Sequence, residues 1–329
     1  MNADVEVAVT TRLGLRARPR RFLVRDYGVL AILIALFVGL SIASDSFLTE
    51  ANLASVLDQA AVPGIAACGV TLAIVSGAFD LSLGAVYAVA GIAAIQLAGH
   101  VGTGAAYLIA LAVGLALGLV NGVIIGGVGV NSFIATLATS FGFTGLALLM
   151  TNGLSVSTSA PHFAFLGSLQ TEAGITIASW VFIGVILVTS MLLHFTGYGR
   201  AIYAIGGNRE AARLAGLRVR LDQIIVLAIS GGCAAMAGIV DASRAGAASS
   251  QSGAAPTLAL TAIAATVIGG TSIAGGEGGV WRAVVGVLIL GFMSDAFTLL
   301  GVNGNYQDIV ECLLILIAVG IDVILRRRT

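Results

Sequence analysis

Apolar runs of about twenty residues alternate with short polar breaks along nearly the whole chain. Runs of that length cross a ~30 Å hydrocarbon core as helices. Read in order, the pattern predicts ten spans: 27–43, 53–76, one from the turn at 77–84 to residue 98, 105–128, 132–150, 177–196, 223–240, 258–269, 283–300 and 306–325. Two of the breaks are glycine-rich turns, GAFDLSLG from Gly77 and GGTSIAGGEGGVWR from Gly269. They look alike, each following an apolar span and leading into another. In the fourth span Gly114, Gly118, Gly122 and Gly126 recur every four residues, so one face is bare backbone on which a neighbour should pack closely. The fifth carries a hydroxyl stripe, Ser132, Thr136, Ser140 and Thr144 with Thr139 beside it, and Asn131 at its mouth. Such a stripe serves helix packing and bonding back to carbonyls, or lines a path for a hydroxylated solute.

One polar interruption is longer than the others, residues 197–220, GYGRAIYAIGGNREAARLAGLRVR. Gly206 and Gly207 break what precedes, and Asn208 is placed to cap a short helix. Glu210 falls in the first turn, where the helix dipole favours an acid, and Gly216 fits the left-handed position after the last turn. Ala211, Leu214 and Ala215 form a small apolar face, with Arg209 and Arg213 on another. A helix this short is marginal alone. Either it docks on another protein, or the segment is a solvated basic loop that only sets topology.

Composition and charge fix the class and orientation. Hydrophobic residues make up 58% of the 329, charged ones 10%, and mean hydropathy is +1.04, which excludes a soluble domain. The fold class is all-α polytopic membrane protein. Every basic residue is Arg. Arg12, Arg16, Arg18, Arg20, Arg21 and Arg25 lie in the N-terminal tail; Arg200, Arg209, Arg213, Arg218 and Arg220 in the central loop; Arg326, Arg327 and Arg328 at the end. Excess positive charge stays on the cytoplasmic side. Both termini and the loop are therefore expected there, with six crossings before the loop and four after. Residues 1–25 read as a cytosolic tail, and 26–329 as one transmembrane domain. The Arg clusters flank spans and lack an aromatic platform, so no nucleic-acid partner is expected. The first span, after Arg20 and Arg21, is too long for a signal peptide and reads as an uncleaved helix.

Candidate chemistry is sparse. Cys68, Cys233 and Cys312 sit in apolar runs and read as buried thiols, without metal-ligand spacing. Asp80 either caps a helix starting at Leu81 or acts, with Ser82, as a gate residue on a turn facing a central cavity. Asp241, Asp295, Asp308 and Glu311 fall near external ends, where interfacial contact with water or a partner is expected. Asp322 is expected to pair with the C-terminal Arg cluster. His162 is isolated and has no assigned role. There is no GxxxxGK[ST] pattern, so no cofactor is expected on this chain and any ATP is hydrolysed by a partner.

Several ordered segments carry a family resemblance: SGAFDLSLGAVYAVAG from Ser76, VNSFIATLATSFGFTGLALLMTNG from Val130, GRAIYAIGGNREAARLAGLRV from Gly199, VIGGTSIAGGEGGVWRAVVGVLILG from Val267 and GVNGNYQDIVECLLILIAV from Gly301. The chain resembles the permease subunits of bacterial ATP-binding-cassette importers of the ribose/xylose/arabinose class. The resemblance implies a second permease copy or paralogue, a separate ATPase on the cytoplasmic face, and a periplasmic or lipid-anchored solute-binding protein outside. It implies that Asn208, Arg209, Glu210, Ala211, Ala212, Arg213, Leu214 and Gly216 form a coupling helix. Ala211, Ala212, Leu214 and Ala215 would fit an ATPase cleft, while Glu210 orients the helix or pairs an ATPase cation. It also points to a translocation path near Asp80, Ser82, Asn131, Ser132, Thr136 and Ser140. The chain departs from the family pattern at Ala78 and Phe79 in the first turn and at Glu277 in the second, where a basic residue is common and here Arg282 follows. Related permeases carry monosaccharides, polyols, nucleosides, a furanose-like signal or branched-chain amino acids, with a monosaccharide or polyol favoured by the motifs. A secondary transporter needs intramembrane ionisable groups, which these spans nearly lack, and nothing marks a channel filter.

Overall fold

The computed structural model of the chain describes residues 20–171, 174–250 and 254–303, with positions 306, 307, 309, 310, 312, 313, 316 and 320. The expected tail with Arg12, Arg16 and Arg18, most of the expected tenth span, Asp308, Glu311, Asp322 and the three terminal arginines lie outside the described residues.

The helices are α1 (Arg20–Ala43), α2 (Glu50–Val75), α3 (Leu83–Val101), α4 (Thr103–Gly122), α5 (Ser132–Thr151), α6 (Phe165–Ser168), α7 (Ile177–Phe195), α8 (Gly197–Gly207), α9 (Arg209–Leu214), α10 (Val219–Ala245), α11 (Ala254–Ile268) and α12 (Val280–Leu299). Among the described residues seven stretches are long and apolar enough to cross a membrane: α2, α3, α4 with the π-helical Val123–Val128 that extends it, α5, α7, α10 and α12. Gly28–Ala43 and Thr257–Ile268 are shorter apolar helices where the first and eighth spans are expected. Side-chain caps set several starts. Thr49 accepts from Asn52 N, Thr176 from Ser179 N, and Asn131 from Phe133 N and Ile134 N, each satisfying an amide that the helix leaves open.

The bundle is built round α10, whose 27 residues span ~40 Å. The glycine row of α4 lies against it. A methyl group on Gly118 would stand 2.3 Å from Leu227 O, one on Gly122 2.7 Å from Ile224 O, and one on Gly126 2.6 Å from Arg220 O. The neighbour expected from the four-residue spacing is therefore α10, and backbone touches backbone along the seam. Helices α2 and α3 pack on other sides of α10 and are largely buried, whereas α5 and α7 keep broad apolar faces outward. Phe141, Leu149, Val188, Met191 and Phe195 are exposed there, as suits lipid or another subunit. At the far end of α10 two short strands, β1 (Ser155–Ser157) and β2 (Ala247–Ser249), pair antiparallel with Val156 opposite Ala248.

The structure departs from the sequence reading in several places. Residues 197–207 form a helix, α8, not a broken loop, because Ile202 and Ile205 recur on one face and bury there with Gly199. The seventh span is longer, since α10 begins at Val219 and runs on to Ala245. Helix α3 starts at Leu83, not Leu81, so Asp80 stands before the cap position held by Ser82. Asp295 is buried and accepts from Asn52 Nδ2 at 2.9 Å, and so is not an interfacial acid. Cys68 and Cys233 are buried as expected, but Cys312 is exposed.

Candidate functional site

At the α8–α9 end of the bundle the two glycine-rich turns meet. Helix α2 closes through Ser76 N to Leu72 O and Ala78 N to Ala73 O, with Gly77 in the left-handed region at φ +80°. The second turn reaches it directly, since Gly276 N donates to Val75 O at 2.9 Å. The C-terminal residues of α8 complete the contact. A methyl on Gly206 would lie 1.9 Å from Val75 O and 2.6 Å from Gly276 N, and one on Gly275 would lie 2.9 Å from Gly77 Cα. Tyr203 of α8 also donates to Gly278 O at 2.7 Å. Three backbones thus share one junction, one residue away from Asn208 at the start of α9.

Beyond Gly77 the first turn runs back into the bundle as non-helical chain. Asp80 lies there, only 2% exposed. Its Oδ1 accepts from Ser82 Oγ at 2.6 Å and Ser82 N at 3.1 Å, and its Oδ2 accepts from Ser230 Oγ of α10 at 2.8 Å. Ser82 Oγ in turn accepts from Asn121 Nδ2 of α4 at 2.6 Å. On the other side α5 holds the turn's amides. Ser132 Oγ accepts from Phe79 N and Thr136 Oγ1 from Leu81 N, both at 3.1 Å. Irregular backbone within a membrane-spanning bundle needs such protein partners for its polar groups. Asp80 and Ser82 are thus buried groups that tie the turn to α4 and α10. Ser132 and Thr136 staple the same turn. Asn131 is the exposed cap of α5, and Ser140 is half-buried higher on that helix.

The sequence reading missed Asn121 and Ser230. The available signal was their being lone polar side chains inside apolar spans, which is costly unless they find partners. Asp80→Ala leaves three buried donors without an acceptor, each worth about 1–3 kcal/mol. The unfolding midpoint is expected to fall by roughly 5–10 °C, with Asp80→Asn intermediate. A thermal-shift assay on the purified protein measures both. Wild-type midpoints would show that the turn does not depend on the carboxylate.

Helix α9 carries most of the expected coupling residues on its surface. Asn208 Oδ1 accepts from Ala211 N at 2.9 Å, as a cap should. Arg213 bonds Glu210 at 2.6 and 3.1 Å, which holds that exposed carboxyl below its ordinary pKa. Arg209, Ala211, Leu214 and Gly216 are exposed. Ala212 is the exception to the sequence reading. It is 5% exposed and packs on Ile205 and Val219, so it seats the helix and does not face outward.

Opposite this end, Arg244 donates to Asp58 O and Asp58 Oδ1, both at 2.9 Å. Arg282, the basic residue after the second turn, is buried and donates to Gly270 O at 3.2 Å, so it braces that turn from α12. Among the described residues no group of His, Cys, Asp and Glu could hold a metal ion.

Residues 52–319 match the family model described as branched-chain amino acid transport system / permease component. The ribose import permease protein RbsC of Escherichia coli (strain K12) is 38% identical over 314 residues, 94% of this chain and 97% of that protein. The L-arabinose transport system permease protein AraH of the same strain is 36% identical over 305 residues, 90% of each chain. Its D-allose transport system permease protein AlsC is 35% identical over 297 residues, 89% of each. No solved structure matches the chain.

Proposed function

The chain belongs to the branched-chain amino acid transport system / permease component family, and we propose that it is the transmembrane permease subunit of an ATP-binding-cassette importer for a monosaccharide. The observation that carries this reading is likeness over about nine-tenths of the chain to permeases named for ribose, L-arabinose and D-allose. What those three solutes share is a small polyhydroxylated frame. The chain is not an enzyme, and the sequence contains no Lys for a P-loop. The energy comes from a partner ATPase, and the solute from a binding protein on the opposite face.

The end bearing α8 and α9 is the cytoplasmic face, because Arg200, Arg209, Arg213, Arg218 and Arg220 are all exposed there. The β1–β2 end faces outward. Helix α9 docks on the ATPase through Ala211, Leu214 and Ala215, with Arg209 and the Glu210–Arg213 pair at the rim. When the ATPase closes, α9 carries α8 with it. The junction at Gly206 passes that displacement to both glycine-rich turns, and the turns move the inner ends of α2, α3, α11 and α12.

Reconstitution with the ATPase and binding protein tests the reading. Hydrolysis is expected to require this chain and to rise several-fold with sugar-loaded binding protein, with uptake following. Solute movement by the chain alone down an ion gradient, with no ATPase bound, would establish a secondary transporter instead.

A further inference from the structure

A second polar site lies at the β1–β2 end, remote from the Asp80 turn. There a cavity of about 220 Å³ is lined by Tyr87, Gly91, Ser155, Gly238, Asp241 and Ser249 among others. That volume holds about seven waters at ~30 Å³ each, the scale of one small solute. Its base is closed. A methyl on Gly238 would stand 2.1 Å from Tyr87 O, and one on Gly91 3.0 Å from Gly238 O, so α3 and α10 touch backbone to backbone beneath it. Its other wall is the paired strands.

The polar groups in this cavity are mainly acceptors. Tyr87 is 4% exposed and donates its hydroxyl to Asp241 Oδ2. That leaves the phenolic oxygen able to accept, while the second carboxylate oxygen, Oδ1, has no partner among the described residues. The nearest cation along α10, Arg244, is held by Asp58. Asp241 is therefore a half-buried carboxylate with no ion pair of its own among the described residues, at the edge of a small cavity. A carboxylate oxygen and a phenolic oxygen at one wall suit a neutral ligand that presents hydroxyl donors. An anion would be repelled by Asp241. An amino acid would bring a carboxylate for which the cavity has no cation. A single carboxylate is too few ligands for a divalent ion.

We propose that this cavity is an outer acceptor site for the transported polyhydroxylated solute, with Asp241 and Tyr87 as its hydrogen-bonding residues. The solute rests there after leaving the binding protein and before α3 and α10 part. The inference rests on the reading of the chain as an import permease.

The test is ATP-driven uptake of D-ribose, L-arabinose and D-allose by the complete reconstituted importer, expressed per ATP hydrolysed. Asp241→Asn is expected to lower that ratio about tenfold and Tyr87→Phe about threefold. Ala245→Leu narrows the mouth from its exposed rim without touching a polar group, and it is expected to lower the ratio as strongly as Asp241→Asn. A merely structural role for Asp241 would depress uptake and hydrolysis together and leave the ratio intact. An Ala245→Leu importer with the wild-type ratio overturns the inference, whatever the Asp241 variant does. If the wild-type complex takes up none of the three sugars, the importer reading itself fails, and that result is separate from unaltered ratios in the variants.

Discussion

Gly206→Ala is expected to abolish ATP-driven uptake, and Gly207→Ala to leave it at the wild-type level. The two glycines are adjacent at the end of α8, and both substitutions add the same methyl group. At Gly207 nothing lies within 4 Å of the new atom. At Gly206 the methyl meets Val75 O at 1.9 Å, Gly276 N at 2.6 Å and Val75 C at 3.0 Å. All three are backbone atoms, so no rotamer change relieves the overlap and the chains must separate. The hydrogen bond from Gly276 N to Val75 O lies in the same contact and opens with it. Overpacking of this kind costs about 1–3 kcal/mol where side chains can yield, and more where they cannot. With 1.4 kcal/mol per factor of ten, uptake should fall at least tenfold. The ATPase should still bind, because α9 keeps its cap and its exposed face. Uptake into proteoliposomes, with bound ATPase quantified in the same samples, checks both halves. Gly206→Ala uptake within twofold of wild type would mean that the three backbones can move independently, and the coupling route described above would be lost.

This contrast also marks what local sequence pattern conveys. The four-residue glycine row of α4 announced a close neighbour, and α10 is that neighbour, because a bare helix face has few uses besides backbone contact. The cap at Asn208 was legible for the same reason: its geometry is local. Gly206 and Gly207 read as helix breakers, but α8 runs on through both and uses Gly206, with Gly199, for contact with the turns and α7, so tertiary packing overrides propensity. The hydroxyl stripe of α5 was visible as a stripe. That Ser132 and Thr136 hold amides 53 and 55 residues away was not, because nothing local records which chain folds onto that face. Asp80 drew attention as the acid in the turn, yet its burial depends on Asn121 and Ser230 on two other helices. The permease family followed from motifs spread along the whole chain, which are far less specific for the solute; near full-length relatives named for three sugars agree with the monosaccharide reading.

Helix α9 shows the same limit at the scale of one turn, and it yields the second strong expectation. Ala211, Ala212, Leu214 and Ala215 are all apolar, and spacing alone cannot say which of them faces inward in so short a helix. The structure buries Ala212 against Ile205 and Val219 and leaves Leu214 75% exposed. A leucine that exposed, on a helix ringed by charge, contributes nothing to its own fold. Full burial of such a side chain against a partner is worth roughly 1.5–3 kcal/mol, and a buried unpaired carboxylate in its place costs more still. Leu214→Glu is therefore expected to reduce ATPase co-purification more than tenfold and to stop uptake, with insertion and thermal midpoint unchanged. Ala212→Glu should act differently: it unseats α9 from the bundle, so the midpoint falls along with uptake. Breaking the exposed Glu210–Arg213 pair should do little, since water and salt screen an ion pair at the surface. Pull-down of the ATPase by each purified variant, beside its thermal midpoint, separates docking from seating. If Leu214→Glu binds the ATPase as the wild type does, α9 is not the docking element, and the exposed arginines at this end would serve only to hold the chain's orientation.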